Sequence, residues 1–189
     1  MTVAIRVLAI AGSLRAASSN VALLRAAARL APDGMTITLY EALGALPHFN
    51  PDLDVDPAPS SVRDLRAQVG LADCLLVSCP EYAHGVPGVF KNALDWLVSA
   101  LEPIDKPIVL LNASPSGGHH AHAQLIEILT TMNLRLLGEA SRVLPFVRRK
   151  LDATVELDDP EMRAALRSSL DTVVRDLARM RAIAAPVAR

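Results

Sequence analysis

The fold class is decided by the stretch VAIRVLAIAGSLRAASSNVALLRAAARL (3–30). Residues 3–10 are almost all apolar, and such an uninterrupted run is typical of a strand buried on both faces of a sheet. A short loop rich in serine follows. The apolar residues after it recur at helical spacing, with Leu23, Leu24, Ala27 and Leu30 on one face. A buried strand that leads into such a helix indicates a parallel α/β sheet.

Strand-like and helix-like segments alternate along the rest of the chain. Further strands are predicted at 35–40, 74–78 and 107–113, and a broken apolar stretch between 134 and 147 should supply the fifth. The helices between them are predicted at 20–31, around the stripe of Val62, Leu65, Val69 and Ala72, at 87–101, at 120–132 and after Asp159. Asp159 should cap the last helix, and its apolar positions from Met162 to Ala184 should face inward. This βα alternation predicts a single domain, residues 1–189, built as a three-layer sandwich.

The order of the strands follows from three loops that are rich in glycine, serine, proline and histidine. They follow the first, third and fourth predicted strands and read AGSLRAASSN (11–20), SCPEYAHGVPG (78–88) and NASPSGGHHAHA (112–123). Open parallel sheets bind ligands outside the carboxyl ends of the strands, where the strand order reverses. In the order 2-1-3-4-5 these loops meet at one crevice, whereas in the order 3-2-1-4-5-6 they do not. We therefore predict a five-stranded parallel sheet of order 2-1-3-4-5.

The composition argues against several classes of protein. Apolar residues make up 51% of the chain, yet no run approaches the ~18–20 residues of a membrane span. The net charge of −1 argues against nucleic acid as a partner. Cys74 and Cys79 point to opposite faces of one strand and cannot pair, which fits reduced thiols in the cytoplasm. The apolar N-terminus lacks a basic region and a cleavage site, so we interpret it as a strand and not as a signal sequence.

The first loop contains the groups that a phosphate monoester needs. Residues 1–32 include four arginines and no acid, and the start of the following helix adds unpaired N–H groups. The absence of G-x-G-x-x-G and of G-x-x-x-x-G-K-[ST] favours a monophosphate over a pyrophosphate. A serine-rich helix cap without a ligand is the alternative. The candidate side chains are Ser13, Arg15, Ser18, Ser19 and Asn20.

The second and third loops can each border a ligand. Glycines and prolines let the second loop bend closely around a flat heterocycle. The backbone amides of the loop could bind the polar edge of that heterocycle, and Tyr82 and His84 could flank it. His84 is a candidate general acid or, alternatively, a backbone hydrogen-bond partner. The histidines of the third loop could form a metal site or simply lie at the solvated start of a helix. The helix start is favoured, because no further residue that binds metals follows at the spacing of a metal site. These histidines are His119, His120 and His122.

The motifs GSLRAASSN, PEYAHGVPGVFKNALDWL and SPSGG resemble the NADPH-dependent FMN reductase family over about residues 3–150. The resemblance implies a flavodoxin-like fold in which the first motif holds the FMN phosphate through Ser13, Leu14, Arg15, Ser18, Ser19 and Asn20. It implies that the isoalloxazine is wrapped by Pro80, Glu81, Tyr82, Ala83, His84 and Gly85, and that beside it lie Ser114, Ser116, Gly117 and Gly118. Many relatives have asparagine in place of Ala83, which matters little where that position binds through its backbone.

The same resemblance implies an FMN-dependent oxidoreductase. Hydride would pass from NADPH or NADH to FMN and, after the first product leaves, to a small acceptor such as a quinone, free flavin, azo compound or chromate. The alternative is a flavodoxin-type electron carrier that serves protein partners. Such carriers are strongly acidic and stack the flavin between aromatic side chains. This chain has a net charge of −1 and 3% aromatic residues, which favours the enzyme.

The predicted helix 87–101 indicates self-association. Its inward stripe is expected to be Phe90, Ala93, Leu94, Leu97, Val98 and Leu101. Trp96 would lie beside that stripe, near Val89 and Ala100, and an exposed aromatic flank is typical of an interface. We therefore expect a homodimer or tetramer, as the family resemblance also implies. The alternative is that a neighbouring helix or residues 41–59 cover Trp96 within one subunit.

Overall fold

A computed structural model describes residues 4–113, 117–144 and 159–184. In these residues a six-stranded parallel sheet has the order β2-β1-β3-β4-β5, with β6 also paired to β4. The strands are β1 Ile5–Ala11, β2 Met35–Leu39, β3 Cys74–Ser78, β4 Pro107–Asn112, β5 Arg135–Leu136 and β6 Arg142–Val143. The predicted strand order is confirmed, and the strand number differs by one.

The difference lies in the broken apolar stretch after residue 134. Its two ends form the two-residue strands β5 and β6, which pair with the beginning and the end of β4. Between them the Ala140 and Ser141 amides donate to the Leu137 carbonyl, which closes a turn. Here a side chain takes the place of a backbone partner, because the Ser141 hydroxyl accepts a hydrogen bond from the Leu110 amide of β4, at 3.1 Å. The predicted fifth strand is therefore interrupted by a turn.

Helices cover both faces of the sheet and enclose two apolar clusters. The helices are α1 Ser19–Arg29, α2 Ser60–Leu71, α3 Gly88–Asp95, α4 His119–Thr131 and α5 Pro160–Ala184, with short 3-10 helices at Leu43–Ala45 and Pro51–Leu53. One cluster lies between the sheet and the α1 and α5 helices, and the other lies beneath α2, α3 and α4. Cys74 belongs to the first and Cys79 to the second, and both thiols are free, so the predicted opposite orientation is confirmed.

A polar side chain caps the start of α5, as the sequence indicates. The Asp159 carboxylate accepts hydrogen bonds from the amides of Glu161 (3.0 Å) and Met162 (3.2 Å), which confirms the predicted cap of α5. None of the helices within the described ranges combines the length and the apolar character required to cross a membrane.

The prediction of a regular helix over 87–101 is wrong for its C-terminal part. The α-helix ends at Asp95, after which the amides of Leu97, Val98 and Ala100 donate to carbonyls three residues back. Three residues per turn rotate the apolar stripe relative to a regular α-helix. The stripe therefore continues through Leu97 and Ala100, while Val98 (66% exposed) and Leu101 (79%) face solvent instead of the core.

Trp96 is fully buried, so its predicted exposure at a dimer interface is also wrong. Its ring meets Phe49 edge-to-face with centroids 5.0 Å apart, and it shares a small apolar cluster with Ala58 and Val62. The indole N–H donates to the Pro47 carbonyl at 2.8 Å. The loop after β2 therefore covers this side chain within one subunit, as the alternative interpretation states.

Candidate functional site

The parallel register brings the three polar loops to one edge of the sheet. Ala11 at the end of β1 lies opposite Ser78 at the end of β3, and Ser78 lies opposite Leu111 of β4. The Gly12 amide continues this alignment by donating to the Ser78 carbonyl at 2.9 Å. The loops that follow β1, β3 and β4 therefore start side by side, as the predicted strand order requires.

Gly12 allows the first two of these loops to approach each other. A Cβ atom at this position would lie 2.4 Å from Cys79 Sγ, a distance that carbon and sulfur cannot adopt. Burial raises the pKa of the Cys79 thiol to about 12, so this side chain is an inert packing group. The contact keeps the start of the first loop against the start of the second.

The first loop combines a helix cap with unused hydrogen-bond donors. The Ser18 hydroxyl accepts from the Val21 amide at 3.4 Å, so the expected cap is present. The Ser13 hydroxyl accepts from the Arg15 amide, and the Arg15 side chain is exposed. Among the described residues, the amides of Leu14, Ser19 and Asn20 donate to no acceptor. The cap thus leaves donors and a cation available to an anion.

Asn20 joins the first loop to β3. Its side chain is buried, and its Oδ1 atom accepts a hydrogen bond from the Ser78 hydroxyl at 2.8 Å. Ser78 is itself buried, so this pair fixes the start of α1 against the end of β3. Asn20 therefore has a structural partner in addition to any contact with a ligand.

A cavity of about 240 Å3 lies on the other side of the first loop, toward the end of β2. Arg15 forms part of its wall together with Arg25, Glu41 and Tyr40. The Tyr40 hydroxyl is buried and has no hydrogen-bond partner in the described part of the chain. Burial, with a smaller effect of the Asp64 carboxylate, raises the pKa of Tyr40 to about 12. The Tyr40 hydroxyl therefore stays protonated at neutral pH.

The second loop contains a tight turn at Tyr82–Gly85. The amide of each terminal residue donates to the carbonyl of the other, at 3.1 and 2.9 Å. The central residues Ala83 and His84 have φ angles of 49° and 59°, as a type I′ turn requires. Their amides donate to no described residue, and Ala83 and His84 are both exposed residues. The turn therefore presents two backbone donors outside the chain's own hydrogen bonds.

This turn is attached to α4. Glu81 Oε2 accepts a hydrogen bond from the Ala121 amide at 3.0 Å, and the Gln124 side chain donates to the His84 carbonyl and accepts from the Val86 amide. The hydrogen bond from Ala121 is the main reason that the pKa of the Glu81 carboxyl lies below its usual range. The His84 ring stacks on His120, with centroids 4.2 Å apart. Nothing in the sequence motifs indicated a role for Gln124.

The third loop is described only in part, because Ser114 and Ser116 lie outside the described residues. Gly117 and Gly118 have φ angles of 83° and 52°, and the Asn112 side chain donates to the Gly117 carbonyl. Burial, followed by the proximity of His119, lowers the pKa of His122. Within the described ranges, no three His, Cys, Asp or Glu side chains are grouped so that they could hold a metal ion.

The chemistry of these donors fits FMN. A phosphate monoester needs a cation and several N–H or O–H donors, which the first loop offers at Arg15, Ser13 and the unused amides of α1. The polar edge of an isoalloxazine carries carbonyl and ring-nitrogen acceptors, and the turn offers the amides of Ala83 and His84. Both sets lie on loops that start at the same edge of the sheet.

The comparisons with known proteins agree with this site. Residues 5–147 match the family model described as NADPH-dependent FMN reductase. The chain is 34% identical to an NAD(P)H-dependent FMN reductase of Pseudomonas aeruginosa, over 94% of this chain and 97% of that protein. It is 33% identical to a probable NADPH:quinone oxidoreductase of rice, Oryza sativa subsp. japonica, over 88% and 86%.

A solved structure is similar over nearly the whole chain. It is a flavoenzyme NAD(P)H:(acceptor) oxidoreductase from Paracoccus denitrificans, with a TM-score of 0.78 and 26% identity, covering 93% of this chain and 98% of the other. The family match includes β1 to β4 and all three site loops. This chain belongs to the NADPH-dependent FMN reductase family.

Proposed function

We propose that this protein uses bound FMN to transfer electrons from NADPH or NADH to a small acceptor, with a quinone as the favoured class. The observation that carries the proposal is the convergence of three loops at the carboxyl edge of β1, β3 and β4, the first two of which have unused donors, within the region matched by the family. Quinone reduction is supported by the name of the rice relative. Free flavin, azo compounds and chromate are further candidate acceptors.

In this proposal each loop has a separate task. Arg15, Ser13, Ser18 and the first amides of α1 hold the phosphate, because cationic and N–H donors stabilise its negative charge. The Tyr82–Gly85 turn orients the ring through its backbone, and the third loop closes the site near Gly117 and Gly118. Bound FMN supplies hydride acceptance and donation. Because donor and acceptor must both reach the same flavin, we expect them to use the site in turn.

A flavodoxin-type electron carrier is the rival function, and anaerobic mixing separates the two. We expect purified protein reconstituted with FMN to lose its visible flavin absorbance when NADPH or NADH is added, and to regain it when a quinone follows. A carrier would be reduced by dithionite but not by either nicotinamide cofactor. That result would contradict the proposed activity.

The role of Arg15 is tested by comparing FMN with riboflavin. Arg15→Ala should weaken FMN binding by roughly ten- to hundredfold, since a charge-assisted hydrogen bond contributes on the order of 1.5–3 kcal/mol. Riboflavin lacks the phosphate, so its affinity should change little. Arg63→Ala, which removes an exposed arginine from α2, is the matched control. Titration of apoprotein with each ligand is the measurement, and equal losses for both would assign Arg15 to the fold.

We further propose that the protein forms a homodimer or tetramer in the cytoplasm. Val98 and Leu101, exposed after the end of α3, supply an apolar surface for this association, whereas Trp96 is buried. The free cysteines Cys74 and Cys79 suit a reducing compartment. We propose no macromolecular partner besides further copies of the chain.

A further inference from the structure

The Tyr82–Gly85 turn has a backbone conformation that its own sequence disfavours. Ala83 and His84 both have positive φ angles, although neither is glycine or asparagine. A left-handed conformation brings the Cβ atom of an L-residue close to the following carbonyl oxygen, so it persists only where surrounding contacts enforce it. The side chains of Tyr82, Ala83 and His84 are exposed, so burial in the core does not provide this enforcement.

The enforcing contacts come from α4. Gln124 donates through Nε2 to the His84 carbonyl at 3.3 Å and accepts at Oε1 from the Val86 amide at 3.2 Å. One side chain therefore holds the backbone at the second central residue of the turn and just beyond its end. The same side chain lies beside Gly85, where an added Cβ atom would be in ordinary van der Waals contact with Gln124 Oε1, at 3.5 Å.

Glu81 makes the reciprocal contact from the loop to the helix. The first turn of α4 has no side-chain cap of its own, because its capping position is Gly118. Glu81 supplies a cap from the second site loop, the one after β3, by accepting a hydrogen bond from the Ala121 amide. A carboxylate at a helix N-terminus also interacts favourably with the helix dipole. Together, Glu81 and Gln124 bind the turn to α4 on both sides.

We propose that Glu81 and Gln124 are positioning residues, which act through α4 to keep the Tyr82–Gly85 turn in the conformation that presents the Ala83 and His84 amides to the flavin ring. This inference rests on the proposed function for its ligand. It assigns the two side chains to the shape of the turn and not to contact with the flavin. Their loss should therefore affect the ring-binding part of the site and leave the phosphate loop intact.

Gln124→Leu is the first test, with Gln68→Leu as the matched control. Both remove a glutamine from a helix, and within the described residues the Gln68 side chain donates its hydrogen bond to Asp64 on its own helix, at 2.9 Å. In the apoprotein, Gln124→Leu should speed hydrogen exchange roughly tenfold at the Tyr82 and Gly85 amides, neither of which bonds to Gln124. The affinities for FMN and riboflavin should fall by the same factor, roughly three- to tenfold. Gln68→Leu should change neither measurement.

Replacement of Glu81 and restoration of the turn complete the test. Glu81→Leu should reproduce the effects of Gln124→Leu, whereas Glu81→Gln should retain most of the affinity because an amide oxygen can still accept from Ala121. Ala83→Asn should restore slow exchange and flavin affinity in the Gln124→Leu background, since asparagine tolerates positive φ. This rescue separates positioning of the turn from a general loss of stability.

The outcomes distinguish this inference from the proposed function. Unchanged exchange at Tyr82 and Gly85 in Gln124→Leu would overturn the inference, and so would faster exchange with unaltered flavin affinity. Failure of Ala83→Asn to rescue either measurement would also overturn it. If the wild-type protein takes up no flavin, the proposed function fails, and exchange in the apoprotein still decides whether Glu81 and Gln124 hold the turn.

Discussion

Gly12 shows how a single residue keeps two loops of the site together. A Cβ atom added to Gly12 would lie only 2.4 Å from Cys79 Sγ, so a side chain at this position requires Cys79 or the loop backbone to shift. Gly12→Ala should lower the free energy of unfolding by about 1–3 kcal/mol, as overpacking of a tight site does. Urea denaturation measures the loss.

The same contact provides its own controls. Gly88→Ala should change the free energy of unfolding by no more than about 0.5 kcal/mol, because a Cβ atom at Gly88 meets nothing within 4 Å. Cys79→Ala in the Gly12→Ala background should recover part of the loss by removing the clashing sulfur. Equal losses in Gly12→Ala and Gly88→Ala would show that the contact between the loops is unimportant.

At the scale of elements, Trp96 joins α3 to the long loop after β2. It is completely buried against Phe49, and its indole N–H has a partner at the Pro47 carbonyl. Trp96→Ala should therefore lower the free energy of unfolding by about 3–5 kcal/mol, the range for removal of a large buried aromatic group. Thermal or urea unfolding checks this value. Val55→Ala, at an exposed position of the same loop, should cost less than about 0.5 kcal/mol.

The same loop is held by a charged group whose effect depends on pH. Asp54 accepts hydrogen bonds from the Ser99 hydroxyl and the Arg66 guanidinium, and these two contacts lower the pKa of its carboxyl. Because the folded-state pKa lies below the unfolded one, this stabilisation is present at neutral pH. It is lost as the pH falls through the folded-state value.

Asp54→Asn should therefore destabilise the protein at neutral pH. Its difference from wild type should stay nearly constant down to about pH 5 and shrink as the pH falls below the ordinary aspartate pKa of about 3.9. Urea unfolding at a series of pH values measures the difference. Asp52→Asn is the control, because Asp52 is exposed and its side chain has no hydrogen bond within the described residues. A difference between Asp54→Asn and wild type that does not vary with pH would contradict this account.

At the scale of the whole molecule, the exposed apolar residues bear on assembly. Val98 is 66% exposed and Leu101 79%, and both follow the short helix that begins after the second site loop. If copies of the chain associate here, Leu101→Glu should shift the protein toward monomers, because burial of a carboxylate at an interface is costly. Light scattering measures the change. Ile183→Glu, at an exposed position on α5, is the matched control, and a monomeric wild type would contradict the proposed assembly.

The sequence by itself predicted those parts of the fold that depend on neighbouring residues. The continuous apolar run of β1, the helical spacing in α1 and the Asp159 cap are local signals, and the structure confirms them. The strand order also followed, because loops with ligand-binding chemistry after β1, β3 and β4 favour one arrangement of the sheet. The family and its cofactor were indicated by the same loops.

Only the tertiary structure decided the features that depend on distant partners. Whether Trp96 is covered depends on Pro47 and Phe49, almost fifty residues earlier in the chain, and their approach cannot be read from helical spacing. The change to three residues per turn after Asp95 likewise keeps Leu97 in the core and turns Val98 and Leu101 toward solvent. The role assigned to Gln124 depends on a turn some forty residues before it. Local patterns encode local conformation, whereas these contacts exist only once the sheet has brought separate segments together.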